Sequence, residues 1–122
     1  CLLPDIVLYF GLIPTTDYAT PASAEGVQAI SDLIKRYDAL ILQRHGSVTV
    51  GVSATDAYLK LEKLEHTALI TKTVLDLGRE QAFPQNEIAK LVQWRHEAGV
   101  MRPGQADDLC LACGVCNLIK HA

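Results

Sequence analysis

The chain has 122 residues, 49% apolar and 20% charged, the make-up of one ordinary globular domain, which excludes an intrinsically disordered segment. Eleven basic against fourteen acidic side chains leave a formal charge of -3 with no basic stripe, which argues against a nucleic-acid partner. No apolar run is long enough to span a bilayer and none has the form of a secretory signal, so a soluble, cytoplasmic protein without a membrane partner is expected.

The chain opens at Cys1, and its single methionine is Met101, so a missing upstream segment of the same protein is expected. Asp5 to Ile13 is apolar with Gly11 inside it, which predicts a short helix or turn, and a strand follows around Ile13 to Tyr18. Ser23 is an N-cap candidate with Glu25 in the first helical turn. Val27, Ile30, Leu33 and Ile34 then recur at helical spacing, predicting one buried stripe on a helix that stops near Tyr37.

Ala39 to Gly51 is the most informative stretch. Ala39-Leu40-Ile41-Leu42 and Val48-Thr49-Val50 have the pattern of two core strands, Ala39 to Gln43 and Ser47 to Gly51, interrupted by His45-Gly46. Gly46 marks a sharp bend or a close approach of a ligand. An imidazole held between rigid strands can offer a fixed nitrogen to a metal or a reacting group; the alternative is a ring that only hydrogen-bonds a neighbouring carbonyl.

Ser53-Ala54-Thr55-Asp56 has the form of a capping box with Asp in place of Glu, and it opens the longest helical pattern. Ala57, Leu61, Leu64, Ala68 and Leu75, with Ile70, Val74 and Leu77, form one broad apolar face, and Gly78 supplies the stop. Lys60, Glu62, Lys63 and Lys72 make a solvated face of helix-spaced pairs, and His66 takes a packing or surface role. A last helix near Pro84 to Ala98 carries Ile88, Leu91 and Val92, with Trp94 packed, His96 solvated and Gly99 as terminator.

Tyr18-Ala19-Thr20, Gln43-Arg44-His45-Gly46 and Leu64-Glu65-His66, in register with Leu3-Pro4-Asp5, Gly11, Ile13-Pro14 and Ser23, resemble the class II aldolase and adducin family over about Leu3 to Gly99. The resemblance implies an α/β fold, three-layer α/β/α with a mostly antiparallel central sheet. Residues 1–104 would be the C-terminal portion of the aldolase domain and 105–122 a Cys-rich tail. It further implies a zinc-dependent lyase that cleaves a sugar phosphate, such as L-fuculose 1-phosphate, reversibly to dihydroxyacetone phosphate and an aldehyde.

In that family three histidines hold the zinc, two of them from a His-X-His segment. His45 matches the third, and the chain contains no His-X-His, so the other ligands and the acid/base carboxylate are expected upstream. Tyr18 matches the tyrosine that protonates the aldehyde oxygen, a task suited to a phenol that stays un-ionised at neutral pH. A homotetramer with its site at subunit contacts is implied. An epimerase or dehydratase on the same scaffold, or a non-catalytic adducin-like interaction domain, are the alternatives. The Tyr-Ala-Thr context favours aldol cleavage.

Cys110, Cys113 and Cys116 form CxxCxxC, which the typical aldolase lacks. The spacing can bring three thiolates onto a metal, with His121 or Cys1 as a fourth ligand, or can be a tail of reduced thiols.

Overall fold

The structure, a computed structural model, describes residues 2–116. His121 and Cys1, the candidate fourth ligands of the cysteine motif, lie outside the described residues. The elements in chain order are α1 (Pro4–Tyr9), α2 (Ala24–Ser31), β1 (Ala39–Leu42), β2 (Gly46–Thr49), α3 (Ala54–Asp76), α4 (Gln85–Glu97) and α5 (Gln105–Cys113). No helix among the described residues is long and apolar enough to cross a membrane. The chain divides into two compact units, Ile13–His66 and the remainder, up to Leu12 and from Thr67 onward.

In the unit Ile13–His66, β1 and β2 form a two-stranded antiparallel sheet with Leu40 opposite Val48 and Leu42 opposite Gly46. The expected strand near Tyr18 is reduced to a single parallel bridge, Thr15 to Ile41: Ile41 N–H donates to the Pro14 carbonyl at 2.9 Å and Thr16 N–H donates to the Ile41 carbonyl at 2.8 Å. Ser23 caps α2 as expected, its hydroxyl accepting from Gly26 N–H at 3.2 Å. The helix ends at Ser31, and hydrogen-bonded turns carry the chain on to Tyr37, whose N–H donates to Leu33. The predicted stripe on this helix is only partly buried, and Val27 is exposed. Tyr37, Ala39, Leu40 and Leu64 are the buried hydrophobics of this unit.

The start of α3 is fixed by side chains on both sides of its first turn. Ser53 Oγ accepts from Asp56 N–H at 3.1 Å, while the Asp56 carboxylate reaches back to Val52 N–H at 3.0 Å, a capping box displaced by one residue. Lys60 is not part of a wholly solvated face. Its half-buried ammonium meets Asp38, Asp56 and the Val50 carbonyl, each at 3.1 Å, and so ties the helix to both ends of the hairpin. Thr49 Oγ1 adds a bond to the Ala57 carbonyl at 2.9 Å.

The other unit is built on Val7 of α1, Ile88 and Val92 of α4, Leu109 of α5, and Val115, all essentially inaccessible to solvent. Gly78 ends α3 in the left-handed conformation the sequence anticipates. On the last turns of that helix Leu75 and Leu77 are exposed whereas Thr67 is buried, so the inward face is narrower than the apolar pattern suggests. On α4, Trp94 is 54% exposed rather than packed. Ile88, Val92 and Arg95 hold the inward face at spacings of four and three, which turns Trp94 outward.

Arg95 is 3% exposed, a burial that hydropathy does not foresee. Its guanidinium donates to the Leu8 carbonyl at 2.5 Å, to the Val100 carbonyl at 3.3 Å and to Gln105 Oε1 at 3.0 Å; Gln105 Oε1 also accepts from Arg102 N–H at 3.2 Å. One cation thereby satisfies carbonyl groups in the last turn of α1, after α4 and at the start of α5.

Candidate metal and catalytic site

His45 closes the three-residue connection Gln43-Arg44-His45 between β1 and β2. Its N–H donates to the Leu42 carbonyl at 3.0 Å, making a β-turn whose third residue, Arg44, has φ 59°. The bend therefore falls on Arg44 rather than on Gly46, the residue that the sequence pointed to. Glycine or asparagine is the usual occupant of such a position, so the turn carries backbone strain next to the histidine. Gly46 begins β2, and a Cβ built on it would meet nothing within 4 Å.

The His45 ring is exposed and has no hydrogen-bond partner among the described residues, unlike a ring engaged with a neighbouring carbonyl. It lines a pocket of about 150 Å³ formed within its own unit. Thr16 and Thr20 come to this pocket from the segment before α2, Ala29 and Ile30 from α2, and Leu42 from β1. Pro21 and Ala22 complete the rim, Ala22 at a φ of 61° just ahead of the Ser23 cap. The walls are mainly carbon, with His45, Gln43 and two threonines as polar residues.

Tyr18 is 58% exposed and belongs to the same loop, but it does not line the pocket, whereas its neighbour Ala19 does. Its hydroxyl has no partner among the described residues. Thr16 escaped sequence reading because it has no periodic signal of its own. Only the pairing of Pro14 and Thr16 with Ile41 brings it beside the histidine turn.

His66 and His96 are exposed on α3 and α4. In the C-terminal motif, Cys110 and Cys116 are joined in a disulfide with a Cα–Cα distance of 4.5 Å, and Cys113 is not a free thiol. In this form neither Cys110 nor Cys116 carries the thiolate that a metal would need, and the tail is not a set of reduced thiols. Among the described residues no three His, Cys, Asp or Glu side chains converge so as to hold a metal ion. Toward the zinc that the resemblance implies, the described residues that line the pocket thus offer one accessible imidazole, His45, which fits a ligand set completed from elsewhere.

The model of the Class II Aldolase and Adducin N-terminal domain family matches residues 2–71. The chain belongs to this family. It is 34% identical over 77 residues to an L-fuculose phosphate aldolase of Methanococcus maripaludis, covering 63% of this chain and 41% of that protein. An L-fuculose phosphate aldolase of Methanococcus vannielii is 32% identical over 76 residues, 62% of this chain and 41% of its own length. The 3-oxo-tetronate 4-phosphate decarboxylase of Escherichia coli strain K12 is 31% identical over 90 residues, 72% of this chain and 41% of its own. The chain therefore spans about two fifths of the length of the curated relatives it matches. No solved structure matches it.

Proposed function

We propose that this class II aldolase chain supplies one zinc ligand, His45, and the proton donor, Tyr18, for the reversible cleavage of a sugar phosphate such as L-fuculose 1-phosphate into dihydroxyacetone phosphate and an aldehyde. The observation that carries the reading is the accessible, unengaged His45 ring at the edge of a pocket whose other wall is the loop bearing Tyr18. Zinc, when bound, would supply the positive charge that polarises the substrate carbonyl. The chain's own part is to hold that imidazole on a short, hydrogen-bonded hairpin turn, which limits where its nitrogen can sit.

Tyr18 donates its phenolic proton to the aldehyde oxygen as the carbon–carbon bond forms and takes it back as the bond breaks. The complete site would lie at the subunit contacts of the homotetramer that the resemblance implies. The remaining two histidines and the carboxylate belong to an upstream segment, and the three-layer α/β/α fold is that of the complete domain. The site of action is the cytoplasm. The cysteine motif, when reduced, is a secondary metal-binding candidate through Cys110, Cys113 and Cys116.

A second reading is favoured by the decarboxylase relative, which matches the larger share of this chain. Loss of carbon dioxide from a 3-oxo acid phosphate and loss of an aldehyde from a ketose phosphate both leave electrons on the carbon next to a carbonyl. The same residues then serve either reaction, with Tyr18 needed only where an aldehyde oxygen must gain or lose a proton.

Tyr18→Phe decides between them. On the aldolase reading it keeps its metal and slows retro-aldol turnover by about 10²-fold or more, the usual size of a general-acid contribution. Unchanged turnover would mean that Tyr18 only packs, and decarboxylation without any cleavage activity would favour the second reading.

A further inference from the structure

Cys110 and Cys116, six positions apart, are joined in a disulfide that closes a small covalent ring around the C-terminal end of α5. Inside that ring Gly114 ends the helix at φ 67°, and its N–H and that of Val115 both donate to the Cys110 carbonyl, the second at 3.1 Å. The turn sends Val115 inward. It is fully buried in the core that Val7, Ile88, Val92 and Leu109 build from three helices.

α5 has nine residues, too few to stay helical in water on its own hydrogen bonds, so it persists because it is fastened to its neighbours. Leu109 and the bond from Arg95 to Gln105 fasten its earlier turns. The covalent ring and Val115 fasten its end. The two sulfurs differ in access: Cys110 is 4% exposed, whereas Cys116 is half-buried and is the one an external thiolate can reach. A ring this short restrains the unfolded chain less than a long one does, and a disulfide open to attack belongs to the labile kind.

We propose that Cys110–Cys116 is a reversible redox clasp that locks the end of α5 and Val115 onto the core of this unit and is opened by a dithiol reductant. A reductant thiolate attacks Cys116 Sγ, the sulfur–sulfur bond breaks, and Cys110 leaves as a thiolate that takes up a proton. The second thiol of the reductant then displaces Cys116, so the pair gains two electrons and two protons while the reductant becomes a disulfide. A disulfide oxidant runs the same exchange backwards. The clasp does not depend on which reaction the protein catalyses.

The test is amide hydrogen exchange, read by mass spectrometry, on the whole protein held in oxidised or in reduced dithiothreitol. Peptide mapping of the oxidised protein should find Cys110 joined to Cys116. In the reduced protein the amides from Leu109 to Val115 should exchange about thirtyfold faster, the lower end of what loss of a cross-link does, while those of β1 and β2 change less than about twofold. Reoxidation should restore the slow rates. Equal exchange in both states, a pair that resists the dithiol in the folded protein, or an acceleration shared by the whole chain would each overturn the proposal. Cys110→Ala combined with Cys116→Ala should exchange fast in both states, and Cys113→Ser should respond as the wild type does. A response lost in Cys113→Ser would contradict the pairing, and the wild-type comparison decides alone if the double variant fails to fold.

Discussion

Thr16 N–H donates to the Ile41 carbonyl at 2.8 Å, and this bond joins the loop of Tyr18 to the strand that leads into His45. Tyr18 lies two positions after Thr16, and His45 four positions after Ile41. A short backbone bridge thus sets the spacing between the candidate proton donor's loop and the candidate metal ligand. The loop has no second strand to hold it, so the Pro14 and Thr16 contacts with Ile41 position it.

Arg95 is expected to be the most sensitive polar residue of its unit. Arg95→Met keeps much of the side-chain volume but leaves the Leu8 and Val100 carbonyls and Gln105 Oε1 without this donor. The expected loss is about 3 kcal/mol, from several buried acceptors left unsatisfied. Urea unfolding followed by circular dichroism checks it, and a change within about 0.5 kcal/mol, ordinary for surface substitutions, would contradict the bridging role.

Asp56 predicts an acid-sensitive helix start. The Val52 N–H, and after it the Lys60 ammonium, hold its carboxyl below its ordinary 3.8. A carboxylate favoured in the folded state adds stability above its unfolded pKa, and that stability is lost as the pH falls through the lower folded value. Asp56→Asn should therefore be less stable than wild type at neutral pH, with the difference closing in the acid range below 3.8. Thermal melts across pH 7 to 2 follow the gap, and a gap that stays constant to the acid end would refute the assignment.

Much of the scaffold was legible because its signals are local. Ser23 and Ser53 cap helices, Gly78 stops one, and the two short strands flank His45 as their apolar pattern requires. What was hidden depends on partners distant in sequence. Arg95 is buried because carbonyls from three places meet it, and Trp94 is exposed because Arg95 has taken the inward position. Lys60 is half-buried because Asp38, twenty-two residues earlier, faces it. In the site, His45 and Tyr18 were recognisable from the family's pattern, and the positions of both are now described. Thr16 was not, since only the long-range pairing with Ile41 brings it into the pocket.

The central claim is that the His45 imidazole grips a catalytic zinc together with ligands from outside these 122 residues. Metal content of the purified native protein and of His45→Ala, measured beside retro-aldol activity, tests it most directly. The account predicts about one zinc per subunit in the wild type, as three histidine ligands and an open position would hold, and loss of both metal and cleavage in the variant. A variant that keeps its zinc and cleaves at the wild-type rate would contradict it.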